Sequence, residues 1–419
     1  MRMGKWKALL LLSATMLVLS GCGSKGEAAN SGQGAVATKD PTAQQGGSNG
    51  NQQETAGSTV KPSPSAEAST NYVTPAGDVT ALRLIDSDRG WIGGNGWIAR
   101  TDNQGAKWTR QYKGEGEIAQ IFALNDKQAW ATVRTVQETE DAGGPLKLLQ
   151  TTDGGQRWAE AGSVPNDGFL HFVSGKVGLS GNALTTDGGK TWSEISVPDG
   201  TVAEPYFNNA EYGWAVTTGN GNVMVERTTN GGKTWDTVMS RKLESDLTGA
   251  VIRSGGKPDV WVELIGDSGM TQTSYSLFHS SDGGSKWTTV IANSTAGGGP
   301  APGFPIGDTS GPRNEGTGPG ALYVVDKTTA VMSGVCSACD APNTLGWTND
   351  GGATWQNSPE KLPGYGQQQL GFADAKHGWW VLNDYETPSM LYVTSDGGKT
   401  WKQTFEFGAE HKDEESVEG

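Results

Sequence analysis

Five carboxylates occupy equivalent places in this 419-residue chain: Asp153, Asp187, Asp282, Asp350 and Asp396. General acid–base chemistry needs such groups held beside a reacting atom, which makes them the first candidates. Each, however, lies in one eight-residue pattern that the chain writes seven times. The copies are TDNQGAKW ending at Trp108, TTDGGQRW at Trp158, TTDGGKTW at Trp192, TTNGGKTW at Trp235, SSDGGSKW at Trp287, TNDGGATW at Trp355 and TSDGGKTW at Trp401. Asn103 and Asn230 stand where the other copies have Asp. Residues repeated as part of a turn are expected to be structural, so no catalytic residue is assigned among them. Cys336-Ser337-Ala338-Cys339 has the spacing of a redox pair, but such pairs use a helix N-terminus to lower the thiol pKa. No helix is expected here, so a local disulfide between Cys336 and Cys339 comes first, with redox or metal roles behind it. His171, His279, His377 and His411 lack metal-ligand spacing, and neither metal nor cofactor is expected. Arg83, Arg134 and Arg253 lie on expected strands, where they could face a central channel and grip a carboxylate.

The repeated pattern has a physical reason. Asp and Ser/Thr side chains accept hydrogen bonds from backbone N–H groups just ahead and close a tight turn. The Gly pair supplies positive φ without steric penalty. The Trp that follows is expected to fold under the turn, burying its ring while the indole N–H finds a carbonyl. Upstream of each turn lies a short strand that often opens Gly-Trp or Ala-Trp: 90–94, 129–133, 177–181, 213–217, 260–264, 330–334 and 378–382. Before that comes an apolar alternating strand, at 81–85, 118–124, 169–173, 204–208, 247–253, 321–325 and 368–373. After each Trp follows a polar edge strand. Four strands per unit, repeated seven times, predict an all-β fold: a seven-bladed β-propeller of four-stranded antiparallel blades over residues 76–407. An open β-solenoid is the weaker alternative.

The turn resembles the Asp-box, or bacterial neuraminidase repeat, of sialidases, sortilin-type receptors and the photosystem II assembly-factor propellers. That resemblance implies structural roles for Asn103, Trp108, Asp153, Trp158, Asp187, Trp192, Asn230, Trp235, Asp282, Trp287, Asp350, Trp355, Asp396 and Trp401. The head as a whole is similar to the photosystem II assembly-factor family, single propellers that bind a nascent membrane protein without catalysis. Sialidases imply three inward arginines and a Tyr–Glu pair; no such pair can be assigned here. Xyloglucan-cleaving enzymes imply tandem propellers, and this chain has one. Non-catalytic binding is therefore the expected function, with a sialidase-like or xyloglucanase-like glycoside hydrolase as the alternative.

In a four-stranded meander the first–second and third–fourth turns share one rim, so all seven repeat turns are expected on that rim. The opposite rim gathers the long insertions: 136–146, 266–274, 335–344 and 383–390 between second and third strands, and 293–320 between two units. Loops longer than about 12–15 residues are usually functional or disordered, so 293–320 is expected to be a lid or a floppy insertion. The candidate binding face therefore comprises Glu138, Glu140, Asp141, Asp267, Phe304, Arg313, Asp340, Asp384, Tyr385 and Glu386. Trp97, Trp347 and Trp379 are expected to be packing rather than ligand platforms.

Arg2, Lys5 and Lys7 precede an apolar run that ends Leu19-Ser20-Gly21-Cys22. The run suits a secretory leader and is short for a span. Its end resembles the bacterial lipoprotein signal, implying removal of residues 1–21 and lipidation of Cys22. Residues 22–75 are Gly/Ser/Ala/Gln-rich and polar, a disordered tether of about 53 residues that would span on the order of 40 Å r.m.s.. Residues 408–419 form a charged tail. The chain carries 46 acidic and 32 basic side chains, a net charge of −14, which argues against nucleic acid and anionic lipid headgroups as partners. The expectation is a monomer on the outer side of the cytoplasmic membrane, tethered by lipid, that meets an envelope protein or wall polymer.

Overall fold

In a computed structural model of the chain, residues 77–135 and 145–408 are described. Cys22, the leader and tether, Glu138, Glu140, Asp141, His411 and the tail beyond 408 lie outside them. The first sheet contains β1 (Val79–Leu84), β2 (Gly90–Thr101), β3 (Thr109–Ala123), β4 (Ala129–Arg134), β5 (Leu146–Thr151) and β6 (Ala159–Val164), in that order. The second holds β7 (Leu170–Phe172), β8 (Gly178–Ser180), β9 (Ala183–Thr185) and β10 (Ser193–Glu194). The third holds β11 (Tyr206–Phe207), β12 (Gly213–Gly219), β13 (Asn222–Thr228) and β14 (Asp236–Lys242). The fourth holds β15 (Gly249–Arg253), β16 (Val260–Ser268), β17 (Thr273–Ser280) and β18 (Thr288–Asn293). The fifth holds β19 (Gly318–Val324), β20 (Ala330–Val335), β21 (Asn343–Thr348) and β22 (Gln356–Asn357). The sixth holds β23 (Gln368–Phe372), β24 (Gly378–Leu382), β25 (Met390–Thr394) and β26 (Lys402–Glu406). All pairings are antiparallel between consecutive strands, and the fold is an all-β propeller of four-stranded antiparallel blades.

Six sheets, rather than the seven separate sheets expected, are present, because the first two repeats share one. β2 runs through both the second and third expected strands of the first repeat, with Gly96 at φ 79° between them. β3 runs from the edge strand of that repeat into the first strand of the next, across Gly114-Glu115-Gly116. So short a connection leaves no unpaired break between the sheets.

The Gly that opens several second strands is a matter of space. Gly178, Gly213 and Gly378 sit directly opposite Phe172, Phe207 and Phe372. A Cβ at any of the three would lie within 2.5 Å of the facing ring. The Trp that follows is then fully buried at Trp91, Trp214 and Trp379.

Successive inner strands are tied side by side. Thr80 Oγ1 donates to the Ile118 carbonyl at 2.8 Å and Arg83 to that of Ala123 at 3.3 Å, which lays the end of β3 alongside β1. His171 Nε2 bonds the Phe207 carbonyl at 2.8 Å, and the Tyr323 hydroxyl donates to that of Phe372 at 2.8 Å. The last sheet packs on the first through Trp108, Trp379 and Phe405, and one side chain bonds the two backbones together. Asn383 accepts from the Val79 N–H at 3.1 Å and donates to the Val79 carbonyl at 2.8 Å.

Candidate functional site

Each of the seven repeat turns closes with the same three hydrogen bonds. The leading Ser/Thr hydroxyl donates to the Asp/Asn oxygen two residues on, at 2.7–3.1 Å. The same hydroxyl accepts the N–H four residues on, at 2.8–3.2 Å. The Asp/Asn oxygen accepts the N–H four residues beyond itself, at 2.9–3.0 Å. These donors hold the carboxyls ionised: the Thr191 hydroxyl and N–H pull Asp187 down to about 2, and Asp153, Asp282, Asp350 and Asp396 are lowered as well. A carboxyl so committed cannot serve as an acid near neutral pH.

In six copies the turn is also bonded to the loop between its own first two strands. Gln104, Gly154, Gly188, Gly231, Gly351 and Gly397 donate their N–H to the carbonyls of Asp88, Lys127, Lys176, Glu211, Thr328 and Lys376. Both loop types therefore lie on one rim. The tryptophans vary more than expected. Trp108 and Trp401 are buried, the other five only in part. The indole N–H finds an acceptor at Trp192, Trp235, Trp287 and Trp355, and none at Trp108, Trp158 and Trp401. Several rings instead pack edge-on against another aromatic, Trp108 on Trp379, Trp158 on Trp91 and Trp235 on Phe207.

Along the inner strands lies a set of buried ionisable groups. Arg253 is buried, its guanidinium 4.2 Å from the Phe169 ring centre, and burial lowers it to about 10. Burial pushes Glu263 up to about 8 against the pull of Arg253. Glu204, partly open to solvent, is pushed up to about 7 by the crowding of its carboxyl, and accepts the Phe169 N–H at 3.2 Å. Burial drops His171 to about 4. It is therefore neutral, and its contact with a carbonyl places the proton on Nε2. The three arginines of the sequence reading have separate partners. Arg83 lies over Phe122 and bonds Ala123, Arg134 pairs with Glu117 and Asp167, and Arg253 bonds the Ile252 carbonyl.

The rim opposite the repeat turns carries a cavity of about 540 Å³ in the sixth sheet. It is lined by Pro363–Tyr365 from the connection before β23, by the 382–390 loop, and by Tyr392 and Gln403. Asp384 ties two of these segments together. One oxygen accepts the N–H groups of Glu386 and Thr387, and the other that of Tyr365 at 2.9 Å. Those donors, Glu386 first, hold its carboxyl below the usual range. The Tyr365 hydroxyl donates to the Cys339 carbonyl at 2.8 Å. Cys339 is joined to Cys336 by a disulfide. Anchored at both ends, Tyr365 still shows half its surface, and Tyr385 is 82% exposed.

The sequence-assigned face thus separates. Asp384, Tyr385 and Glu386 line the cavity. Asp267 is exposed near the end of β16 and Asp340 on its own loop, and Arg313 is exposed with its guanidinium on the Ser294 carbonyl. Phe304 is half-buried, stacked on Phe278 at 5.9 Å with Arg241 over both rings. The 293–320 segment is bonded onto the fourth sheet through Ser276 to Pro302 and Ala292 to Pro312. Trp97, Trp347 and Trp379 are buried. Tyr365, Met390, Tyr392 and Gln403 were not assigned from sequence. An isolated Tyr between glycines, Gly364-Tyr365-Gly366, was the available signal. Among the described residues no cluster of His, Cys, Asp and Glu could hold a metal ion.

The geometry defines an all-β propeller with one rim of closed turns and one of loops. No family model matches the chain, and no curated protein matches it. Solved structures do resemble it. YCF48 bound to D1 peptide shares 14% identity at a TM-score of 0.43, over 78% of this chain and 97% of that one. YCF48 from Cyanidioschyzon merolae shares 17% at 0.33, over 80% and 86%. The GH74 enzyme of Niastella koreensis shares 14% at 0.35, over 78% of this chain and 65% of the enzyme. Similarity at this level bears on fold alone.

Proposed function

We propose that this chain is a non-catalytic, extracytoplasmic lipoprotein whose propeller binds a protein or cell-envelope polymer through the loop-bearing rim. Cleavage before Cys22 and its lipidation would anchor the chain, and residues 22–75 would tether the 76–407 head. On this reading the six-stranded sheet counts as two blades. Support for that count comes from the second half of β3, which lies beside β1 as one inner strand beside the next.

One observation carries the binding reading. The repeat turns consume their polar groups internally, while the other rim holds exposed aromatic and acidic side chains around a cavity. The test is capture of envelope protein or wall polymer by immobilised protein, with charge reversal at Asp267, Asp340 and Glu386. Loss of capture with unchanged melting is expected; capture indifferent to these changes refutes the reading. Membrane release on Cys22→Ala tests the anchor.

A glycoside hydrolase is the second reading, favoured by one feature: Glu204 and Glu263 are both pushed into the range of a working general acid. Against it, Glu263 is sealed from solvent. Release of sugar from a glycan panel, lost in Glu204→Gln, would establish it.

A further inference from the structure

The cavity in the sixth sheet offers an unusual combination of groups. Tyr365, Tyr385 and Tyr392 bring three aromatic rings to it, and Asp384 and Glu386 bring two carboxylates. None of its lining residues is Lys, Arg or His. Lys361, two residues before Pro363, is paired with Glu315 at 3.0 Å, and Lys402, beside Gln403 on β26, falls on the opposite face of that strand. Tyr392 is 7% exposed, lines the cavity, and has no hydrogen-bond partner for its hydroxyl among the described residues. A buried phenol that opens on a cavity without a partner can accept or donate a hydrogen bond there. The amide of Gln403 is turned to the Met390 sulfur at 3.2 Å. The cavity therefore presents π faces, two carboxylates and no cationic group.

That inventory discriminates between ligand classes. A neutral sugar ring could use the hydroxyls and rings but would leave the charge of Asp384 and Glu386 unanswered. An ammonium or guanidinium group only donates, and tyrosine faces attract it electrostatically. Asp384 supplies charge that the backbone holds in place, and Glu386 is exposed at the opening. Tyr365 is locked through its N–H and its hydroxyl, so its ring is in place before a ligand arrives.

We propose that this cavity binds the cationic head of a basic side chain, lysine or arginine, carried on an extended segment of a partner protein. The proposal rests on the binding role of the loop-bearing rim and names the chemistry that one part of it recognises. Lysine and arginine share the required donors, and the two peptides below tell them apart.

The test is calorimetric titration of the purified full-length protein with acetyl-Pro-Lys-Pro-amide, the arginine counterpart and the neutral norleucine counterpart, and with a disaccharide of N-acetylglucosamine. One of the basic peptides is expected to bind at least tenfold more tightly than the norleucine peptide and to weaken as salt rises. Glu386→Gln and Tyr385→Ala should each weaken it roughly two- to fivefold, the range of an exposed ion pair or a partly exposed cation–π contact, and Tyr392→Phe, which keeps the ring and loses only the hydroxyl, about two- to threefold, with melting unchanged. Equal binding of the norleucine peptide, binding of the disaccharide alone, or no binding of either basic peptide at millimolar concentration overturns the proposal. If envelope capture depends on the loop-bearing rim yet survives excess basic peptide, this inference falls and the broader function stands. If capture never occurs, the broader function itself falls.

Discussion

The two rims of this propeller use the same residue types to opposite ends. On one, Asp350 accepts from Thr348 and the Thr354 backbone, and Gly351 hands its N–H to the adjoining loop, so the turn's carboxylate and hydroxyl are answered from within. On the other, Asp384 makes the same kind of turn with Glu386 and Thr387, but spends its second oxygen on Tyr365 and leaves two tyrosines open. A short acidic turn is therefore no sign of function by itself. What differs is whether the groups it organises are used up.

Four measurements break or sharpen this contrast. The largest effect is expected at Asn383, the buried amide that joins the last sheet to the first. Asn383→Ala strands a buried N–H and carbonyl at Val79, and should lower stability by about 3 kcal/mol, read by urea unfolding. On the other rim, Thr348→Val removes a buried hydroxyl that both donates and accepts. Loss of about 2 kcal/mol is expected, with ligand capture intact in the folded protein; lost capture would blur the division between rims.

Protonation provides a third probe. The turn carboxyls have depressed folded values, so their contribution is present above the ordinary value near 4 and disappears as pH falls through the folded value, about 2 for Asp187. Glu263 behaves oppositely. Its folded value of about 8 means full stability below the ordinary value of roughly 4.3 and progressive loss as pH rises toward 8. Chemical denaturation from pH 2 to 9 should show both arms, and Glu263→Gln should flatten only the alkaline one. The smallest stability effect belongs to the open rim: Tyr385→Ala should change the midpoint by less than about 0.5 kcal/mol, although the capture assay should register it.

How much of this was legible depended on distance along the chain. The turn closes over eight consecutive residues, so side-chain type and spacing already contain its hydrogen bonds. The Gly-Trp strands were visible too, although the ring that demands the glycine in two of them, Phe207 opposite Gly213 and Phe372 opposite Gly378, comes from register. The sharing of a sheet by the first two repeats was hidden, because a three-residue connection reads like any other short loop. So was the cavity, whose rings come from residues 365, 385 and 392 on separate segments. Phe304 sits among prolines and glycines, in a segment expected to be a lid or a floppy insertion on the binding face; the segment instead folds back and stacks it on Phe278.

Asn383 directly precedes Asp384 and Tyr385, so the residue that latches the last sheet to Val79 stands between Leu382 and Asp384, which both line the cavity. Assembly and recognition are thereby placed in sequence. The partner of Asn383 lies 304 positions earlier, so the latch forms only after nearly the whole head has been made. A head cut off before Asn383 lacks both the latch and the cavity segment that follows it.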